Sequence, residues 1–132
     1  MKYQVSFDPY CKRHYIKTFA KKYPGAWDKT LKSLFVEFAF VHLLFEKQIA
    51  EIISVSQENS VKICKTEFKI LGTDISRHAS GNRCIIAMHN NSSVRVLLVY
   101  HKSDIVKSGN ETVAWKKLVS DAFPEYSALL KN

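Results

Sequence analysis

The chain has few of the residues that mark specialised protein classes. Its 132 residues include three Cys, four Gly and three Pro. The cysteines, Cys11, Cys64 and Cys84, cannot all pair and show no metal-ligand spacing, so the sequence predicts reduced thiols and excludes a disulfide framework or a zinc knuckle. Scarce Gly and Pro argue against a low-complexity chain. A composition of 46% hydrophobic and 24% charged residues predicts one ordinary globular domain over residues 1–132.

Long hydrophobic runs are also missing. The longest apolar stretch, residues 34–45, is shorter than the ~20 residues needed to cross a bilayer, and it contains Glu37 and His42. The N-terminal segment MKYQVSFDPY lacks the apolar core of a secretory signal. The sequence therefore predicts a soluble cytoplasmic protein without membrane contact.

Acidic residues are outnumbered, with 12 Asp+Glu against 20 Lys+Arg and a formal charge of +8. Residues 1–32 hold eight Lys/Arg and two acids, residues 61–110 hold eight Lys/Arg and three acids, and residues 33–60 are acidic. Two basic regions separated by an acidic one are the electrostatic footprint of a polyanion-binding protein. A basic face that serves only solubility is the alternative interpretation.

Hydrophobic periodicity predicts the element order β-α-α-β-β-β-α. The predicted segments are a strand at 3–7, a helix at 9–22, a helix from 24 or 26 that carries Ile49 and Ile52, strands at 61–69, 83–89 and 94–101, and a helix at 111–122, with a loop at 71–82. This order predicts an α+β fold: a small, largely antiparallel sheet with an N-terminal helical hairpin packed on one face and a C-terminal helix.

The two clearest strands are joined by Asn90-Asn91-Ser92-Ser93, which is turn chemistry and predicts a hairpin. A turn centred at Asn91/Ser92 pairs residues whose numbers sum to about 183, which places Arg83 opposite Tyr100. The other polar side chains expected near that end of the sheet are Lys65, Lys69, Arg77, His78, His101 and Lys102.

A cluster of Lys, Arg, His and Tyr suits a phosphodiester. Cations stabilise the negative charge of a pentavalent phosphorane, and His or Tyr can move protons to and from the attacking 2′-hydroxyl and the leaving 5′-oxygen. Such chemistry needs neither a metal nor a cofactor, and the sequence shows no metal-ligand cluster, carboxylate pair or phosphate-binding Gly loop. A solvated rim of the sheet is the alternative interpretation.

Several short motifs resemble toxins of the RelE/ParE superfamily from bacterial type II toxin–antitoxin pairs. They are KTFAKKYPG at 17–25, KTEFK at 65–69, ASGNR at 79–83, the apolar hairpin, and YHKSD at 100–104. The resemblance covers most of the chain and is specific mainly over residues 80–104.

The resemblance implies an endoribonuclease that cleaves mRNA, free or on the ribosome, without a metal or cofactor, and so inhibits translation. A cognate antitoxin would silence it. The catalytic residues that the resemblance implies are Arg83, Lys65, Lys69, Lys102, His101 and Tyr100, and the RNA-binding residues are Arg77, His78 and Lys62. Arg83 is expected to hold the scissile phosphate, with His101 or Tyr100 moving protons.

Two positions depart from the superfamily pattern: Asn82 stands where an aromatic residue is usual, and Glu67 stands where a further basic residue is common. These departures leave open a weakened toxin or a non-catalytic inhibitor of DNA gyrase from the other branch of the superfamily. A non-enzymatic nucleic-acid-binding module is a further alternative. Convergence of Lys65 or Lys69, Arg83 and residues 100–102 on one cavity would favour the enzyme, and side chains splayed apart would favour the binders.

Overall fold

Within residues 2–106 and 109–131, which the computed structural model describes, a five-stranded mixed sheet forms the centre of the protein. The strands are β1 (Gln4–Phe7), β2 (Ala50–Val55), β3 (Val61–Phe68), β4 (Asn82–His89) and β5 (Ser93–His101). Their order across the sheet is β1-β5-β4-β3-β2. Strand β1 runs parallel to β5, and the other neighbouring pairs are antiparallel, so the sheet is largely antiparallel as predicted.

Helices cover both faces of this sheet. They are α1 (Pro9–Tyr15), α2 (Ala26–Ala39), α3 (Val41–Glu46), α4 (Arg77–Ser80), α5 (Lys102–Ile105) and α6 (Glu111–Ala122), with a π-helical turn at Ile16–Ala20 and a 3₁₀ helix at Pro124–Leu130. The N-terminal helices pack on one face through a core that includes Phe19, Trp27 and Phe38. Helix α6 and the 3₁₀ helix pack on the opposite face through Trp115 and Tyr126. The α+β prediction, with a helical hairpin on one face and a C-terminal helix, is confirmed.

Local signals explain where the helical hairpin begins and turns. The Asp8 side chain accepts a hydrogen bond of 2.9 Å from the Tyr10 amide, and Pro9 occupies the first turn of α1, where its missing N–H would have had no helical partner. Gly25 separates the two arms of the hairpin with φ of +79°, a conformation that favours glycine. The predicted helix start and turn are confirmed for this reason.

The prediction of one helix extending to Ile52 is wrong. Helix α2 ends at Ala39, α3 ends at Glu46, and the chain turns at Gln48, whose φ is +59°, before it enters β2. Strand β2 then pairs antiparallel with β3 and forms an edge of the sheet. The three-residue spacing of Ile49 and Ile52 fits a helix, but the run of β-branched residues that follows favours a pleated, half-buried strand.

The hairpin register is confirmed. Arg83 lies opposite Tyr100, and the neighbouring pair of Asn82 and His101 has the same numerical sum. The register shifts by one residue beyond Ile85, which leaves Leu97 unpaired between Leu98 and Val96. This bulge changes the pairing toward the turn and leaves the predicted pairing intact at the end that carries Arg83.

Candidate active site

Four polar side chains lie in neighbouring rows at one end of the sheet, on the face that α6 covers. Strand β3 supplies Lys65 and Glu67, β4 supplies Arg83 and β5 supplies Tyr100. Glu67 is directly opposite Arg83, and Arg83 is directly opposite Tyr100. Because side chains of directly opposed residues share a face of the sheet, the register alone brings these three together.

Arg83 occupies the centre of this group and is only 6% exposed. Its Nη1 lies 3.0 Å from Oε2 of Glu67, and its Nε lies 3.8 Å from Oε2 of Glu111. Nη1 also donates a 3.2 Å hydrogen bond to the carbonyl oxygen of Asn82. The guanidinium is therefore held between two carboxylates in a fixed orientation.

Glu111, like Glu67, belongs to the site but was not predicted from the sequence as a site residue. It is the first residue of α6, and Asn110 caps the helix by accepting a 2.7 Å hydrogen bond from the Thr112 amide. Oε2 of Glu111 accepts a 2.7 Å hydrogen bond from the Tyr100 hydroxyl and lies 3.1 Å from Nζ of Lys65. The Asn-Glu pair at a helix start was visible in the sequence, but nothing local linked it to Arg83. Only the docking of α6 on the sheet does so.

Burial and hydrogen bonding fix the protonation of this group. Burial raises the pKa of Tyr100, and the hydrogen bond to Glu111 raises it further, so the phenol is a neutral donor. Burial tends to raise the pKa of Glu111, but the hydrogen bonds from Tyr100 and Lys65 outweigh it and lower that pKa below its usual value. Glu111 is therefore an ionised carboxylate at neutral pH, and it orients Tyr100, Lys65 and Arg83.

The lowered pKa of Glu111 predicts a pH-dependent contribution to stability. A carboxyl group whose pKa is lower in the folded state than in the unfolded state stabilises the fold above its unfolded pKa and loses that contribution as pH falls through the folded value. The urea midpoint of the wild-type protein should therefore decline more steeply below about pH 5 than that of Glu111→Gln. Tyr100→Phe, which deletes one of the two hydrogen bonds, should show an intermediate decline. Equal declines in all three proteins would contradict the prediction.

A pocket of about 280 Å³ opens beside Arg83. It is lined by Gln48, Ile49, Ala50, Glu51, Lys65, Glu67, His78 and Arg83. Nδ1 of His78 lies 2.9 Å from Oε2 of Glu67, and the imidazole is 87% exposed. The pocket thus presents two carboxylates, an imidazole, a guanidinium and an ammonium group to one small volume, near the lower limit of about 300 Å³ for ligand pockets.

The structure does not bring His101, Lys102 and Lys69 to this pocket. His101 lines a separate cleft of about 130 Å³ together with Lys22, Tyr23 and Asp104, and its ring packs against Gly81. Consecutive residues of a strand point to opposite faces, so Tyr100 and His101 cannot share one site. Lys102 is exposed at the start of α5.

Lys69 lies beyond the end of β3, where it is exposed and borders a small cleft with Glu37 and Arg77. The predicted set is therefore divided between the two faces of the sheet end. Lys65, Arg83 and Tyr100 meet on one face, and His101 lies on the other.

The three predicted RNA-binding residues have different environments. Arg77 is paired with Glu37 through contacts of 2.5 and 3.2 Å and donates a 3.1 Å hydrogen bond to the carbonyl oxygen of Glu67. It therefore fastens α4 to α2 and positions the neighbouring His78 at the pocket. Lys62 lies at the opposite end of β3, across from Met88, away from the pocket.

Carboxylates offset the cations of the site, and Glu51 on the pocket wall is a third carboxylate beside Glu67 and Glu111. Lys65 and Arg83 are matched by Glu67 and Glu111, so the site is not the purely cationic cluster that the sequence predicts. The arrangement can hold an anion on Arg83 and Lys65 and can exchange protons through Glu67 and His78. An incoming phosphate must compete with Glu67 for Arg83.

The cysteines take no part in this chemistry. All three are buried free thiols. Burial raises the pKa of each thiol, that of Cys64 to about 12. They are therefore protonated at neutral pH and act as small core residues, because a thiolate is the nucleophilic form.

Neither a metal-binding group nor a membrane-spanning helix is found in the part of the chain that the structure describes. No group of three or more His, Cys, Asp and Glu side chains there is arranged to hold a metal ion. None of the helices in residues 2–106 and 109–131 is long and apolar enough to span a membrane.

Comparison of the chain with protein-family models, curated proteins and solved structures gives no match.

Proposed function

We propose that this protein is a cytoplasmic toxin of the RelE/ParE type that cleaves mRNA in the pocket beside Arg83. The observation that carries the proposal is that one carboxylate, Glu67, contacts both the guanidinium of Arg83 at 3.0 Å and the imidazole of His78 at 2.9 Å. A base, a cation and a second proton-transfer group thus share one small pocket. These are the groups that a 2′-hydroxyl attack on a phosphodiester requires.

The proposed reaction is a transesterification. The Glu67 carboxylate takes the proton of the 2′-hydroxyl, and the 2′-oxygen forms a bond to phosphorus. Arg83 and Lys65 stabilise the additional negative charge of the phosphorane. The bond from phosphorus to the 5′-oxygen breaks, and protonated His78 gives its proton to the leaving oxygen. The products are a 2′,3′-cyclic phosphate and a 5′-hydroxyl, and proton exchange with water restores Glu67 and His78.

Glu111 and Tyr100 lie behind Arg83 and serve as positioning residues in this proposal. They do not line the pocket, but Glu111 contacts Arg83 and Lys65, which do. This role differs from the proton transfer by Tyr100 or His101 that the resemblance implies, because Tyr100 is a buried neutral donor and His101 lies in another cleft.

The proposal includes an antitoxin that binds the exposed apolar surface of the helical hairpin. Phe35, Val36, Phe40 and Leu43 are each at least 38% exposed on α2, on α3 or between them. Several large apolar side chains exposed within one short stretch of the chain, residues 35–43, favour a protein-binding surface there. An amphipathic antitoxin segment with acidic residues would match both this surface and the basic charge of the chain.

A second candidate function is binding without cleavage, either to gyrase or to nucleic acid. It is favoured by the separation of His101 and Lys102 from the pocket and by the two carboxylates that neutralise Lys65 and Arg83. In this case growth arrest would occur with intact messages, accompanied by DNA-damage signalling if gyrase is the target.

Primer extension on a defined message after brief induction tests the proposal. The wild-type protein should produce discrete new 5′ ends within the open reading frame. Glu67→Gln should reduce their yield by roughly 10²-fold or more, because general base catalysis contributes about that much. Glu58→Gln removes one exposed carboxylate from the β2–β3 turn and is the matched control, with wild-type cleavage expected.

The other outcomes separate the candidates. Growth arrest with intact messages would contradict cleavage and support the second candidate function. Normal growth with intact messages, in cells that accumulate folded protein, would contradict the toxin proposal itself.

A further inference from the structure

The first 32 residues carry eight Lys/Arg, and all eight are exposed. The ion pairs found among the described residues involve none of these eight side chains. Of the two acids in the same segment, Asp8 is bound to Arg95 at 2.6 Å, which leaves only Asp28. Arg13 borders a cleft that Asp8 and Asp121 also line, but none of the eight cations forms one of these ion pairs. The N-terminal helices therefore present a positive charge that the protein compensates only in part.

Three of these cations form a row along the first arm of the hairpin. Arg13, Lys17 and Lys21 are four residues apart, as are the buried Cys11, Tyr15 and Phe19. A four-residue step drifts about 40° around an α-helix, and the wider π-helical turn at Ile16–Ala20 offsets part of that drift. The buried row and the cationic row differ by two residues, about 200°, so the cations point away from the sheet.

The row leads toward the end of the sheet that carries the candidate active site. Lys22 and Tyr23, which follow Lys21, line the 130 Å³ cleft with His101 and Asn82. Asn82 directly precedes Arg83, whose side chain reaches the pocket on the other face. A long polyanion bound along the row could therefore continue past the cleft and over the sheet end to Arg83.

We propose that Arg13, Lys17 and Lys21 bind the phosphodiester backbone of RNA. Successive cations are about 6 Å apart along the helix axis, which is close to the separation of neighbouring phosphates in a nucleic-acid strand. RNA is chosen over other polyanions because of the function proposed above. An acidic protein helix is a less suitable ligand, because it would need several exposed apolar side chains to pack against. Within residues 9–22 the large apolar side chain that is exposed is Ile16.

The test measures binding without cleavage. Fluorescence anisotropy of a labelled, short 2′-O-methyl oligoribonucleotide reports affinity at several salt concentrations, and this probe lacks the attacking hydroxyl. Arg13→Ala/Lys17→Ala/Lys21→Ala should weaken binding roughly tenfold to hundredfold at low salt and should reduce the slope of log K against log salt by about 2, since each phosphate contact with a single strand contributes about 0.7. The two proposals can fail separately. If RNA binding did not depend on these three cations, the proposed cleavage could still hold. If the protein did not cleave RNA, this binding measurement would still be valid.

Lys47→Ala/Lys117→Ala/Lys131→Ala is the matched control, because it removes the same charge from exposed positions elsewhere. It should keep affinity within a few fold of wild type and keep the salt slope. Equal losses in both triple variants, or wild-type binding by the first one, would overturn the proposal. The proposal would also be overturned if the Arg13→Ala/Lys17→Ala/Lys21→Ala variant kept its RNA binding but lost binding to polyglutamate or to vesicles of anionic phosphatidylserine. If the triple variant shows no thermal unfolding transition and is therefore not folded, the same binding measurement is made with Lys17→Glu, which reverses one charge of the row.

Discussion

Replacement of Arg83 by alanine should reduce RNA cleavage by roughly 10²- to 10³-fold or more, because it removes a fixed donor from the position where negative charge develops in the proposed reaction. Arg83→Lys should recover only part of the activity. Lysine keeps the charge but lacks the planar fork that binds two oxygens of a phosphate. The measurement is the rate of cleavage of a defined RNA by purified protein.

The same substitution should also destabilise the protein, which the sequence alone gave no reason to expect. Arg83 is buried between Glu67 and Glu111. Its removal leaves the two carboxylates without the cation between them. Loss of one partner from a fully buried ion pair costs about 3–5 kcal/mol, and the cost here should be smaller, because Glu67 and Glu111 are 27% and 21% exposed and keep other hydrogen-bonding partners. Cleavage must therefore be expressed per folded molecule, with the folded fraction taken from a thermal or urea transition.

Arg95→Ala provides the matched control for this experiment. Arg95 lies in β5, next to the strand that carries Arg83. Like Arg83 it binds two carboxylates, Asp8 at 2.6 Å and Glu125 at 2.9 Å, but it lies away from the pocket. Its loss should lower stability and leave cleavage per folded molecule near the wild-type value. Full cleavage by folded Arg83→Ala, or equal losses of cleavage in both variants, would contradict the proposed role of Arg83.

The largest effect on stability is expected for Trp115→Ala. Trp115 is fully buried in the core that joins α6 to the sheet, and replacement of a buried Trp by Ala costs about 3–5 kcal/mol. Because Glu111 begins the same helix, loosening of α6 should also disturb Tyr100, Lys65 and Arg83. Urea denaturation of the purified variant measures the change in the free energy of unfolding.

Two further variants identify the cause of that effect. Trp115→Phe should cost less, because it retains an aromatic ring and deletes an indole N–H that has no hydrogen-bond partner among the described residues. Val113→Ala, at an exposed position of α6, should change stability by less than about 0.5 kcal/mol. A loss of less than about 1 kcal/mol for Trp115→Ala would contradict the docking of α6 through this residue.

Local signals in the sequence were enough to predict most elements. The Asp8-Pro9 start of α1 and the Asn91-Ser92 turn act over a few residues, so they could be identified without the fold. The prediction failed at Ile52, where helical spacing and strand propensity compete and pairing with β3 decides the outcome.

For the candidate site, the sequence predicted which residues of the β4–β5 hairpin lie opposite each other. It did not predict that Glu111 of α6 packs against them. The pairing of Arg83 with Tyr100 followed from the turn. The prediction that His101 joins them was wrong, since strand alternation places adjacent residues on opposite faces. Glu67 was noticed only as a departure from a pattern, and the structure makes it the residue that contacts both Arg83 and His78.

The sequence by itself determined the α+β class, the helical hairpin, the register of β4 and β5 and the excess of positive charge on the first 32 residues. Tertiary structure alone decided that β2 is an edge strand, that β1 pairs parallel with β5, and that Glu111 reaches Arg83. The physical reason is the range of the interactions. Capping, periodicity and turn chemistry act between residues close in the chain, whereas the charge balance of the site depends on how α6 packs against strands that lie far from it in sequence.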